Sequence, residues 1–483
     1  MATQKYGGKI YAWSVAAVWA GLGLALNEPA WIAFAMTFAS VFSVAADLRR
    51  PDGFGPSTIW ATSMALTGLA DGAGMLVTNP DVRDLFFVYA AQEHLARAEA
   101  ITFVGSGAIL FGFALANLTG PHRNILPGLA VQLASEAVWG WVLVTGVVVL
   151  VLQLRFVQFG NGTFSSLYGT GVPLVVFVLA REASRCGSRK WLWAAALLAY
   201  AGATRAVFFE VLRALILLPI AALILGCLVG ARGLKPFRQL PLLPMYAGLA
   251  IFFLFFQTFG EERATAGYGL ERVQEMAARR DDAARQGQAT SAGSAASLAR
   301  QTSFNQVSQI VRLTQTDGFE YGSTLDYFAY VFIPRFVWPD KPIIAKGRWF
   351  AERLGFGMWR VDGGFTNSIN MTVPGEWYLN FGWPGTIIGG VLVGFCMGLF
   401  WNAGHFWSGE SAPLVGAYGF SILAFTWQLN VDTEVIPSVV SLYLVFLVSS
   451  RLLRVVTLRS RSNSRIRSQK GRPVFSRIPT HTP

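Results

Sequence analysis

Apolar runs of about 20 residues recur along this chain, and each is the length an α-helix needs to cross the roughly 30 Å hydrocarbon layer of a bilayer. No water meets backbone N–H and C=O groups in hydrocarbon, so such a run must satisfy its hydrogen bonds internally, as a helix does. Cutting the sequence where Gly, Pro or charge interrupts the runs yields about twelve spans, near 10–27, 29–48, 57–78, 98–118, 136–154, 166–181, 190–203, 206–230, 242–260, 379–401, 412–429 and 436–454. The expected fold class is an all-α polytopic membrane protein of about 12 transmembrane helices, with one long external loop between helices 9 and 10. Composition agrees: of 483 residues, 53% are hydrophobic and only 14% are charged, which excludes an ordinary soluble domain of this size.

A net charge of +12 would suit nucleic acid, but the basic residues sit in short loops beside apolar runs and in the tail after Leu453. That distribution sets membrane orientation, so no nucleic-acid partner is expected. With Lys5 and Lys9 cytoplasmic, the same side holds Arg49, Arg50, Arg123, "REASRCGSRK", "ARGLKPFRQ" and the Arg-rich tail. Both termini are therefore expected in the cytoplasm, and the apolar start reads as a retained first helix. The expected organisation is helices 1–9 over 1–260, an external loop over 261–377, helices 10–12 over 378–454 and a disordered basic tail over 455–483. The loop falls after the ninth span rather than between equal halves, which argues against a two-halved carrier. Within it, "QGQATSAGSAAS" reads as a linker, Phe304 to Leu313 as a short amphipathic helix, and "YFAYVFIPRFVWPDKP" as an interfacial aromatic segment.

Four features stand out from a plain bundle. In "GEWYLNFGWPG", Glu376 and Asn380 sit among turn residues and the aromatics Trp377, Tyr378 and Trp383 at the outer mouth of the tenth span. The aromatics suit an interfacial belt, but a carboxylate at the edge of hydrocarbon needs a partner or a task. In "TRAVFFEVLRALILLP", Arg205 and Arg213 are eight residues apart, about 80° beyond two full turns, so on one helix they share a sector that suits phosphate oxygens. Glu210 offers Arg213 an intrahelical ion pair instead. In "IPRFVWPDKP", Arg335 and Lys341 either snorkel to headgroups or clamp an anion. Asp71 and Glu136 lie within spans, where they hydrogen-bond inside the bundle or relay protons. Cys186, Cys227 and Cys396 have no metal-site or disulfide spacing, and no P-loop, HExxH or GxSxG motif occurs, so no cofactor and no metal are expected.

The stretch "YGSTLDYFAYVFIPRFVWPDKP" followed by "TNSINMTVPGEWYLNFGWPGTIIGGVLVG", with the arginine-bearing helix and the overall layout, resembles the Wzy-type oligosaccharide repeat-unit polymerases of bacterial envelope polysaccharide pathways. The likeness covers Tyr321 to Gly394. It implies a GT-C-like architecture in the bacterial inner membrane. It also implies a metal-independent glycosyltransferase that polymerises undecaprenyl diphosphate-linked oligosaccharides on the outer face. Its partners would be lipid-linked substrates, membrane lipids and the chain-length regulator and flippase of the same pathway. On this reading Arg205, Arg213, Arg335 and Lys341 bind diphosphate, Asn367, Asn370 and Asn380 orient sugar hydroxyls, and Glu376 positions or deprotonates the acceptor or shapes the loop as a partner of Arg335 or Lys341. The O-antigen ligases are similar but carry a loop histidine where "TNSIN" stands here. After the eleventh span, "LNVDTEVIPS" offers Asp432 and Glu434 where many polymerases have an arginine. A lipid-linked sugar flippase and a non-catalytic assembly subunit are the other readings.

Overall fold

The computed structural model describes residues 2–49, 54–87, 89–119, 136–155, 162–209, 213–230, 302–331, 333, 338–340, 342, 346–356, 369–405, 413–428, 439–440, 443–444 and 447–448. Among these residues the regular structure is entirely helical. In chain order the helices are α1 (Ala2–Ala25), α2 (Pro29–Leu48), α3 (Pro56–Leu76), α4 (Pro80–Phe86), α5 (Leu95–Thr119), α6 (Glu136–Arg155), α7 (Gly162–Cys186), α8 (Arg189–Phe209), α9 (Arg213–Gly230), α10 (Phe304–Thr316), α11 (Lys346–Arg353), α12 (Val373–His405) and α13 (Pro413–Gln428). Short 3₁₀ turns span Gln92–His94 and Ser323–Ala329.

Three stretches are long and apolar enough to cross a membrane: Pro29–Leu48, Gln92–Leu118 and Val373–Ala403. Shorter apolar helical stretches cover Lys9–Ala25, Gly140–Leu150, Leu218–Gly230 and Ala417–Trp427. Large apolar side chains such as Phe38, Phe42, Phe111, Ile388 and Leu392 face outward on these helices, as lipid contact requires. The expected span at 242–260, most of that at 436–454, the linker and the basic tail lie outside the described residues.

Helices α1, α2, α3, α5 and α12 share one core around Trp60, Met36, Ile109 and Met397, and α6 to α9 share another around Phe177, Val176 and Leu198. Helix α13 joins them, since Phe420 packs on Phe177 with ring centroids 5.2 Å apart while Tyr418 and Ile422 belong to the first core. The closest pairing is α5 with α12. Gly390, Gly394 and Gly398 recur at helical spacing along one stripe of α12, and a Cβ built on Gly394 would lie 2.0 Å from the Ile109 carbonyl oxygen. Between helices in lipid there is no apolar-to-water driving force, so such backbone-to-backbone approach supplies the attraction through dense packing.

Helix α12 also corrects the expected loop boundary. The stretch "GEWYLNFGWPG" is helical from Val373, and the helix is broken inside it at Gly382, whose φ of 64° and ψ of −149° favour glycine. Pro384 contributes to the break, because it has no N–H to return to the Asn380 carbonyl. Tyr378 is buried and meets Trp383 edge-on at 5.7 Å, so these rings pack into the protein rather than forming a belt at the headgroups.

Helix α10 is the amphipathic helix expected in the external loop. It buries Phe304, Val307, Ile310, Val311 and Leu313 and packs on α5 and α12. Each such side chain removed from water is worth about 1.5–3 kcal/mol, which offsets the ordering of this segment.

Replacing Gly394 by Val is expected to destabilise the α5–α12 pair by about 1–3 kcal/mol or more, because both backbones must separate to admit the side chain. The loss should appear as a lower thermal midpoint for the monodisperse protein in detergent. Leu392→Val, at an outward-facing position, should leave that midpoint near the wild-type value.

Candidate functional site

The break in α12 leaves carbonyls without helical partners, and the segment at 320–322 supplies them. Tyr321 N–H donates to the Asn380 carbonyl at 3.1 Å, the acceptor that Pro384 cannot serve, and Glu320 N–H donates to the Leu379 carbonyl at 3.0 Å. The Asn380 side chain continues the lacing. Its Oδ1 accepts Gly322 N–H at 2.8 Å, and its Nδ2 donates to Thr324 Oγ1 at 2.7 Å and to the Glu376 carbonyl at 2.8 Å. Gly322 has φ 95°, which turns the segment toward the helix.

One turn before the break stands Glu376, 1% exposed. Its Oε1 accepts Lys346 Nζ at 2.7 Å and the Thr324 hydroxyl at 3.0 Å. Lys346 is 8% exposed, opens α11, and holds its ammonium 4.2 Å from the centroid of the Tyr327 ring. That ring faces the cation with its electron-rich surface. The carboxylate also benefits from its place in the first turn of α12, where the helix dipole is positive. A backbone bond from Ile369 N–H to the Gly347 carbonyl, 2.9 Å, ties the approach to α12 onto α11. The result is a buried ion pair in a neutral polar cage, contributed by three separate stretches of chain.

At the rim, Arg353 at the end of α11 binds Glu320 and, at 3.1 Å, Asp317, while its guanidinium lies 5.3 Å from the centroid of the Trp349 ring. The hydrogen bond from Arg353 holds the Asp317 carboxyl below its ordinary value. These exposed contacts close the outer edge of the segment that carries Thr324 and Tyr327.

The site therefore brings together only part of the expected set. Glu376 and Asn380 meet. Asn370 is exposed just ahead of α12, and Arg335, Lys341 and Asn367 lie outside the described residues. Among the described residues the cation against Glu376 is Lys346. Arg205 and Arg213 are on different helices: Arg205 is in α8 and Arg213 begins α9, and a Cβ on Gly202 would lie 3.4 Å from Pro219 where the two helices pack. The shared sector expected for one continuous helix does not apply, because a chain that packs back on itself no longer keeps its 100° step per residue. The side chains of both arginines, and that of Glu136, are outside the described residues. Asp71 hydrogen-bonds inside the bundle, accepting from Ser303, ahead of α10. Among the described residues no group of three or more metal-binding side chains occurs.

Sequence reasoning passed over Lys346, Thr324 and Tyr327. The signal was the need of Glu376 for a cation, which pointed into the loop without choosing among its lysines and arginines. No family model, curated protein or solved structure matches the chain.

Replacing Asn380 by Leu keeps the volume but strips partners from Gly322 N–H and Thr324 in a buried setting. It is expected to cost about 1–3 kcal/mol for each group left unsatisfied. Asn370→Leu, at an exposed position, is expected to stay within about 0.5 kcal/mol. Thermal unfolding of the two purified variants checks the contrast.

Proposed function

We propose that this chain is a metal-independent membrane glycosyltransferase that joins undecaprenyl diphosphate-linked oligosaccharide repeat units into a polysaccharide on the outer face of the cytoplasmic membrane. The observation that supports it best is the buried Glu376–Lys346 pair, caged by Thr324, Asn380 and Tyr327 where the external segment meets a membrane-length helix. A carboxylate and a cation kept at that depth are costly to bury, and a lipid-linked sugar presents its hydroxyls and diphosphate at such a threshold. The reading includes about twelve spans with both termini in the cytoplasm, as the distribution of basic residues favours.

In the proposed step a sugar hydroxyl of the incoming unit attacks the reducing-end carbon of the growing chain. A new C–O bond forms, the old one breaks, and undecaprenyl diphosphate leaves with the bonding electron pair. Arg205, Arg213, Arg335 and Lys341 meet the diphosphates of the two lipids, since guanidinium forks and ammonium groups stabilise charge that develops on phosphate oxygens. Glu376 orients the acceptor hydroxyl and takes its proton, with Lys346 and Thr324 fixing the direction of the carboxylate. Asn367 and Asn370 bind sugar hydroxyls. Asn380 is a positioning residue that holds the external segment to α12.

Glu376→Gln is expected to lower polymer formation per folded, membrane-inserted protein at least about 100-fold. The test uses purified protein in vesicles supplied with lipid-linked repeat units, read as a polymer ladder on gels. Wild-type polymer lengths and yield from the variant contradict the role given to Glu376. Translocation of the lipid without any joining by the wild type would instead identify a flippase.

A further inference from the structure

Where α3, α5 and the start of α10 meet, two carboxylic side chains face each other with no cation from the described residues between them. Asp71 and Glu99 are both fully buried and lie within hydrogen-bonding reach of one another. Asp71 accepts the Ser303 backbone N–H at Oδ1 and the Ser303 hydroxyl at Oδ2, each at 2.8 Å. Thr102 Oγ1 stands 3.3 Å from that hydroxyl and itself donates to the Ala98 carbonyl at 3.1 Å. Both Glu99 oxygens are buried and receive no hydrogen bond from any donor among the described residues.

The charged groups on the surrounding elements are engaged elsewhere or turned away. Lys9 pairs with Asp47, Lys346 with Glu376, and His94 with Glu93. Arg83 lies over Phe87 and Arg97 over Tyr378. Glu28 ahead of α2, Asp84 on α4 and Arg312 on α10 form no ion pair or hydrogen bond with either buried carboxyl.

Two ionised carboxylates in this position would repel one another and lose their hydration together, and a single proton between them relieves both costs. The hydrogen bonds indicate where that proton resides. Asp71 already accepts two donors, whereas Glu99 accepts none and has Asp71 as the acceptor within reach. We propose that Asp71 and Glu99 form a proton-binding site in which Glu99 carries the proton and donates it to Asp71, and that this proton holds the external helix α10 on the membrane helices. The mechanical link is short: Ser303 is the residue that enters α10, and Val307 and Ile310 one and two turns later pack on Gly375, next to Glu376. Loss of the proton would put two like charges beneath the entry to α10 and loosen the support of the Glu376 turn. The site stands on its own geometry and does not depend on the reaction proposed above.

Infrared difference spectra of the full-length protein test it. The wild type at neutral pH should show the C=O stretch of a protonated carboxylic acid that shifts on deuteration, and Glu99→Gln should lack it. Absence of that band in the wild type, the result expected if a metal cation balances the pair instead, overturns the proposal, as does its survival in Glu99→Gln. The docking role is read by alkylation of a cysteine placed at the buried Ile310, with Cys186, Cys227 and Cys396 replaced by Ala. Glu99→Gln keeps a donor toward Asp71 and should react at the parent rate. Glu99→Ala removes the donor and should react about tenfold faster, the equivalent of one hydrogen bond to a charged group. Equal rates in Gln and Ala variants overturn the docking role.

Discussion

A carboxylate in an apolar interior needs a cation, a proton or hydrogen-bond donors, and the arrangement of the segments around the start of α12 follows from how Glu376 meets that requirement with a cation. Its cation, Lys346, is thirty residues earlier in the chain and belongs to a different helix. The pair therefore fixes α11 to the first turn of α12, and Thr324 and Tyr327, which complete the cage, fix the segment between α10 and α11 to the same place. Breaking one half of such a pair leaves a buried charge uncompensated, at a cost of about 3–5 kcal/mol. That penalty far exceeds the worth of the exposed Arg353 contacts at the rim, which water screens.

The ion pair needs a rigid platform, and the glycine stripe of α12 against α5 provides it. Close backbone approach holds α12 below its break, while the break itself exposes carbonyls that only the external segment can serve. Gly382 and Pro384 thus do two things at once: they interrupt the helix and create the docking edge for residues 320–322. The amphipathic α10 packs on both α5 and α12, so the site lies between a membrane-length helix and the 302–356 segments packed against it.

The helices were largely legible in the sequence because hydrocarbon thickness imposes a length on apolar runs. Pro29–Leu48, Glu136–Arg155 and Pro413–Gln428 begin and end within a few residues of the expected spans. The amphipathic stretch from Phe304 was legible for the same kind of reason, since its apolar residues recur at helical spacing. Local signals misled at "GEWYLNFGWPG": glycines and prolines read as a loop, yet Val373–His405 closes over them because α5 packs on its stripe and the external segment satisfies the broken carbonyls. The boundary between the seventh and eighth spans was expected between 203 and 206, a few residues ahead of the end of α8 at Phe209 and the start of α9 at Arg213. Lys346 as a partner of Glu376 was not legible, because no local rule separates it from the other cations of the loop and only tertiary packing brings it to α12. Glu99 escaped notice at the polar edge of its span, where a carboxylate reads as a flank until α3 and α10 are placed around it.

One ion pair links α11 to the first turn of α12, and a double-mutant cycle on unfolding measures that link without reference to any substrate. The variants are Lys346→Met, Glu376→Gln and the two combined, each in the full-length protein under identical detergent conditions. The account predicts that the double variant is more stable than the sum of the single losses allows, with a coupling of at least about 2 kcal/mol, because removing both charges leaves neither one stranded. Losses that add within about 0.5 kcal/mol would contradict it, and would mean that the two charges are accommodated independently.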